Sequence, residues 1–148
     1  MFVFYHLDDL ILLHRLQVLS RIAATGVNVL IPALKEADYS PVYWQQLREI
    51  AARGIITIKE QEIPMDFILE HQVVHRRAGR SLLMLLHFCL SEHAILVANE
   101  DDVFVRALCT ALKVPVYSLE DFNIATINNK MYFEFMAELK KEQAARLN

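Results

Sequence analysis

Glycine is scarce in this chain: there are three in 148 residues, alongside four prolines. So few turn residues imply short connections and much helix. The scarcity also leaves no glycine-rich phosphate loop, which argues against P-loop and dinucleotide-binding enzymes. Cysteine is nearly absent as well. Cys89 and Cys109 both fall in apolar helical runs. They read as buried thiols of a reducing compartment, not as a disulfide framework. Without basic surroundings they are poor candidates for catalytic nucleophiles. Long hydrophobic runs are missing too. The oiliest stretch, Leu82–Leu90, is too short to cross a bilayer. The start, MFVFYHLDD, has no basic segment and is broken by acids, so no signal peptide is expected. A cytoplasmic protein without membrane contact is the expectation. Neither sign of charge dominates. A net charge of −3 argues against a general polyanion binder but leaves room for a local basic patch.

What is present is a core. With 55% hydrophobic and 22% charged residues, the chain is long and apolar enough for one domain spanning residues 1–148. Phe2–Leu7 reads as a buried strand. Leu10–Thr25 shows helical spacing through Leu12, Leu13, Leu16, Leu19 and Ile22, and Gly26 ends it. Val27–Ile31 is a second strand, and Pro32 suits the first position of a short helix carrying Glu36. Ser40-Pro41 is an N-cap and N1 pair opening a helix to about Arg53, closed by Gly54. Ile55–Ile58 is the third strand. Pro64 opens a helix to about Arg77, and Gly79 interrupts it. Ser81–Ser91 is apolar nearly all round. Ala94–Ala98 and Val114–Tyr117 are the last strands. Ser118–Asp121 is a short capped turn, and Asn128–Leu147 is an amphipathic helix with Met131, Phe135 and Leu139 in line. Alternating strands and helices without a two-residue hairpin predict a parallel α/β fold. The expected architecture is a three-layer α/β/α sandwich around a five-stranded parallel sheet.

Acids follow two of these strands. Asp8-Asp9 follow the first, and Glu100-Asp101-Asp102 follow the fourth. The carboxyl edge of an open parallel sheet is where ligands bind. Carboxylates converging there suit a hard divalent cation. Acids at helix N-termini are also favoured by capping and by the helix dipole, with no ligand involved.

The chain resembles a PIN domain over nearly its whole length. The resemblance lies in Leu7-Asp8-Asp9-Leu10-Ile11-Leu12, in Val29-Leu30-Ile31-Pro32-Ala33-Leu34-Lys35-Glu36, in Leu96–Asp102 and in Leu112–Val116. It implies a metal-dependent endoribonuclease, toxin-like, in which Mg²⁺ or Mn²⁺ activates water to cut RNA. On that resemblance Asp8 is the first acid, Glu36 the second, and Glu100 or Asp102 the fourth. A one-residue shift brings in Asp101. Met84, in the run Ser81-Leu82-Leu83-Met84, stands where the family has its third acid. The alternative is a catalytically inactive module that binds RNA or a protein partner. A response-regulator-like signalling domain is a further rival, but Lys113 precedes the fifth strand, which does not suit it.

Other polar residues have two readings each. Arg76, Arg77 and Arg80 form the densest basic patch, for an RNA backbone or as an ordinary helix end. His71 and His75 share a helix face, as a zinc pair or as solvated residues. His6 points to the same side as Asp8, toward the acids or into a structural role. The apolar helix Ser81–Ser91 and the terminal helix predict association, as a homodimer or with a small antitoxin-like protein.

Overall fold

A computed structural model describes residues 1–126, 137–138, 140–142 and 144–146. The expected apolar row Met131, Phe135 and Leu139 lies outside the described residues. Five strands form one sheet: β1 (Phe2–Phe4), β2 (Val29–Pro32), β3 (Thr57–Lys59), β4 (Ile95–Val97) and β5 (Val116–Tyr117). All pairings are parallel, in the order β3-β2-β1-β4-β5. Through residue 126 the helices are α1 (Leu7–Arg15), α2 (Val18–Ala24), α3 (Pro41–Ala52), α4 (Met65–Val74), α5 (Arg80–Glu92), α6 (Val103–Leu112) and α7 (Leu119–Thr126), with a 3-10 helix at Ala33–Asp38. The fold is the three-layer α/β/α sandwich with a five-stranded parallel sheet.

Strand alternation divides the core. Phe2, Phe4, Val29, Ile31 and Val97 face one side, packed with residues of α1, α2, α3 and α7. Val3, Leu30 and Leu96 face the other, packed with α5 and α6. The helix α4 packs chiefly on α5. Ile68 is its single buried residue. That placement explains why α5 is apolar nearly all round: it is covered by the sheet on one side and by α4 on another.

Several boundaries move. Strand β1 stops at Phe4, and Leu7 already belongs to α1, so Asp8 and Asp9 lie in a helical first turn. The expected helix Leu10–Thr25 is two helices, broken at Gln17 with φ of +60°. The apolar spacing runs on across the break, which is why periodicity does not reveal it. Pro32 closes β2, and Glu36 rides on a 3-10 turn. The helix opened by Pro64 ends at Val74, so Arg76 and Arg77 lie in the loop that leads to α5. Other signals hold as read. The Ser40 hydroxyl accepts the Tyr43 N–H, and Gly54 takes φ of +75° after α3. The turn at Ser118 is a capping box that opens α7: the Asp121 N–H donates to the Ser118 hydroxyl, and the Ser118 N–H to the Asp121 carboxylate.

Glycine's scarcity has a local cost. Helices α5 and α6 both end in a left-handed residue of the kind glycine usually supplies, His93 at φ of +53° and Lys113 at φ of +61°. The Ala94 N–H bonds the Cys89 carbonyl at 2.9 Å, and the Val114 N–H bonds the Cys109 carbonyl at 2.8 Å, which closes both ends. Lys113 is exposed, so its side chain contributes little packing. Lys113→Gly is therefore expected to stabilise the fold by about 0.5–1 kcal/mol. A urea titration giving a lower midpoint than wild type would contradict this.

Candidate functional site

The strand order creates a switch point. From β1 the chain winds outward to β2 and β3, whereas β4 and β5 lie on the other side of β1. The crevice between the carboxyl ends of β1 and β4 is where an open parallel sheet presents ligand groups. Tyr5 and His6 leave β1 there. Asn99 to Asp102 leave β4. The two loops are joined by a hydrogen bond of 2.8 Å between His6 Nε2 and an Asp102 carboxylate oxygen. The same oxygen accepts the Asn99 N–H at 2.9 Å. Arg106 of α6 donates to the Ala98 carbonyl at 3.1 Å, pinning the end of β4.

Acids gather beside this bridge. The Tyr43 hydroxyl on α3 donates to the exposed Asp8 carboxylate at 3.1 Å. Burial, then the Asp8 charge, push the Tyr43 phenol far above its usual range. Asp9, one residue on, is the more enclosed of the pair. Burial raises its pKa first, Asp8 and Asp102 raise it further, and His6 and Arg146 partly oppose this.

His6 also lines an open cleft of about 470 Å³, together with Tyr5, Lys35, Asp38, Tyr39, Arg77 and Phe104 among others. Lys35, from the 3-10 helix, has its ammonium 5.5 Å from the Tyr5 ring centre and 5.9 Å from that of Tyr39. Burial lowers the Lys35 pKa, opposed by the Asp38 charge. Tyr39 stacks on Tyr43 with centroids 4.6 Å apart and planes at 12°. Desolvation raises the Tyr5 and Tyr39 phenols, with Asp38 adding to both. The cleft thus joins two cations, three aromatic faces and one acid.

The expected site residues are only partly together. Asp8 and Asp102 both act on the charge of Asp9. Glu36 instead forms an ion pair with Arg48 of α3. Glu100 and Asp101 are exposed in the turn before α6. Met84 lines a small cavity of about 30 Å³ with Lys35, Asp38 and Ser81, and its carbonyl accepts the Gln61 side chain. Of the three arginines, Arg77 reaches the cleft. Arg80 lies with a guanidinium nitrogen 3.8 Å from the Met65 sulfur, and Arg76 is exposed. His71 stands beside His75 and Phe67 in ring contacts. Among the described residues, no group of three His, Cys, Asp or Glu side chains is placed to hold a metal ion. Sequence reasoning named Asp9 only as the neighbour of Asp8 in the acidic pair, and it did not single out Lys35, Asp38, Tyr5, Tyr39 or Tyr43. The signal that was available is the run Lys35-Glu36-Ala37-Asp38-Tyr39, charged and aromatic residues just past a buried strand.

Asp9 gives a stability test. Its folded-state pKa is raised, so between the ordinary carboxylate value and the raised one the folded state holds more protons than the unfolded state. Stability therefore falls as pH rises through that window, and the loss is complete above it. Asp9→Asn is expected to raise the melting temperature at neutral pH, with the gain vanishing below the ordinary carboxylate value of 3.8. A gain that persists unchanged into acid would refute this origin.

No family model, curated protein or solved structure matches this chain.

Proposed function

We propose that the chain is a PIN-like module that binds single-stranded RNA in the cleft beside the switch point. The observation that carries this reading is the pairing of cations with aromatic faces. Lys35 and Arg77 line the same cleft as Tyr5, Tyr39 and Phe104. Cations neutralise phosphates, and aromatic rings stack on unpaired bases; this combination suits single strands regardless of sequence. The family resemblance, with RNA as its usual ligand, agrees with this reading.

Metal-dependent cleavage of that RNA is a second reading, favoured by Asp9. A carboxylate partly desolvated beside Asp8 and Asp102 gains from a neighbouring cation. Asp8, Asp9 and Asp102 are the acids nearest to such a site, but as placed they do not form a three-ligand group for Mg²⁺ or Mn²⁺. Were an ion bound there, the chemistry it would supply is activation of a water for attack on phosphate. Against it, His6 and the Asn99 N–H share one Asp102 oxygen, Tyr43 engages Asp8, and Glu36 is paired with Arg48. Binding without cleavage is therefore the primary reading.

Fluorescence anisotropy with a labelled single-stranded RNA tests both. Binding that weakens steeply with salt is expected. No binding at low salt would end the RNA reading. Mn²⁺-dependent products that disappear in Asp9→Asn would move the conclusion to the nuclease.

A further inference from the structure

Helix α4 has an outer face that is largely open, with the Arg80 guanidinium reaching its first residue at the Met65 sulfur. Met65, Leu69 and Val73 are four residues apart, so they form one stripe along the helix. They are 45%, 58% and 76% exposed. Ile63, just before the helix, is 47% exposed. An apolar face of this kind, left open, marks an interaction site. Beside it runs a second stripe, Asp66 and Glu70, also four apart. These two acids and Glu62 line an open cleft of about 570 Å³ with Phe67. None of the three acids forms an ion pair among the described residues.

We propose that this face docks an amphipathic helix from a partner protein, with an apolar row flanked by lysine or arginine. Charge decides the occupant. An apolar row next to an unneutralised acid row is complementary to an apolar row next to a basic one. A second copy of this chain fits poorly. Two α4 helices paired antiparallel through this face bring both acid stripes along the same edge, like against like. The face also lies apart from the proposed RNA cleft: none of Met65, Asp66, Leu69, Glu70 or Val73 lines that cleft. The two sites are therefore separable by mutation.

The test uses the whole chain and two synthetic amphipathic helices with the same leucine face, one flanked by lysines and one by glutamates. Calorimetry should show the lysine peptide binding wild type and the glutamate peptide failing to bind. Leu69→Asp should weaken the lysine peptide by about tenfold or more, equivalent to about 1.4 kcal/mol. The double variant Asp66→Lys, Glu70→Lys should reverse the preference. All three positions are exposed, and circular dichroism confirms that each variant is folded. Equal binding of the lysine peptide to wild type and both variants would overturn the proposal, as would no binding at all. A dimer mass in solution that Leu69→Asp converts to monomer would also overturn it, and would assign the face to a second copy.

Discussion

Phe122→Ala is expected to cost about 3–5 kcal/mol of folding free energy, the range for truncating a buried phenylalanine. Phe122 is fully buried. Its ring meets Phe2 edge-on at 4.9 Å and Phe4 at 5.0 Å, with interplanar angles of 83° and 78°. The truncation removes two aromatic contacts and opens a void beneath β1, the central strand. A helix held by its own backbone bonds does not collapse easily into that space, so the cavity term persists. Whole-domain stabilities run to about 5–15 kcal/mol, so a large share is lost. For a chain of this size the melting temperature should fall by roughly 6–20 °C. Phe122→Leu keeps much of the volume and should cost distinctly less. A loss below about 1 kcal/mol for the alanine variant would mean that α7 is not part of the cooperative core.

Tyr39→Ala is expected to weaken RNA binding by about 1–3 kcal/mol, roughly 5- to 150-fold, if its face carries a base. Tyr39 is suited to this because its ring is already held in place. Tyr43 stacks on it, and the Lys35 ammonium approaches its ring. A ring already ordered loses little freedom on binding. Tyr39→Phe keeps the face and should bind nearly as wild type, which separates stacking from the phenolic hydroxyl. Lys35→Ala should act differently. It removes a phosphate contact, so the slope of log affinity against log salt should become shallower by about 0.7. Unchanged affinity in Tyr39→Ala, with an unchanged salt slope in Lys35→Ala, would remove the RNA site from this cleft.

The elements of the fold were legible because their signals are local. Apolar runs such as Val27–Ile31, the Ser40-Pro41 cap, Gly54 and the Ser118 capping box each act within a few residues, and the alternation of strand and helix predicts a parallel sheet. Whatever depends on distant partners was not legible. Gln17 breaks a helix whose apolar face continues across the break, and only packing decides such a case. Glu36 is a helix acid in sequence, and its partner Arg48 comes from the next helix. Asp8 and Asp9 look alike as neighbours, yet the helix turn exposes one and encloses the other. The apolar circumference of α5 is legible in sequence, but that the sheet and α4 cover it, while α4 leaves Met65, Leu69 and Val73 exposed, is decided by packing.

The sequence by itself determined that acids follow the first and fourth strands, because a strand's end is a local event. That His6 and Asp102, 96 residues apart, share a hydrogen bond was decided by the tertiary structure alone. The reason is strand order: β1 lies against β4 as well as β2, and this adjacency follows from burying both faces of the sheet under helices at once.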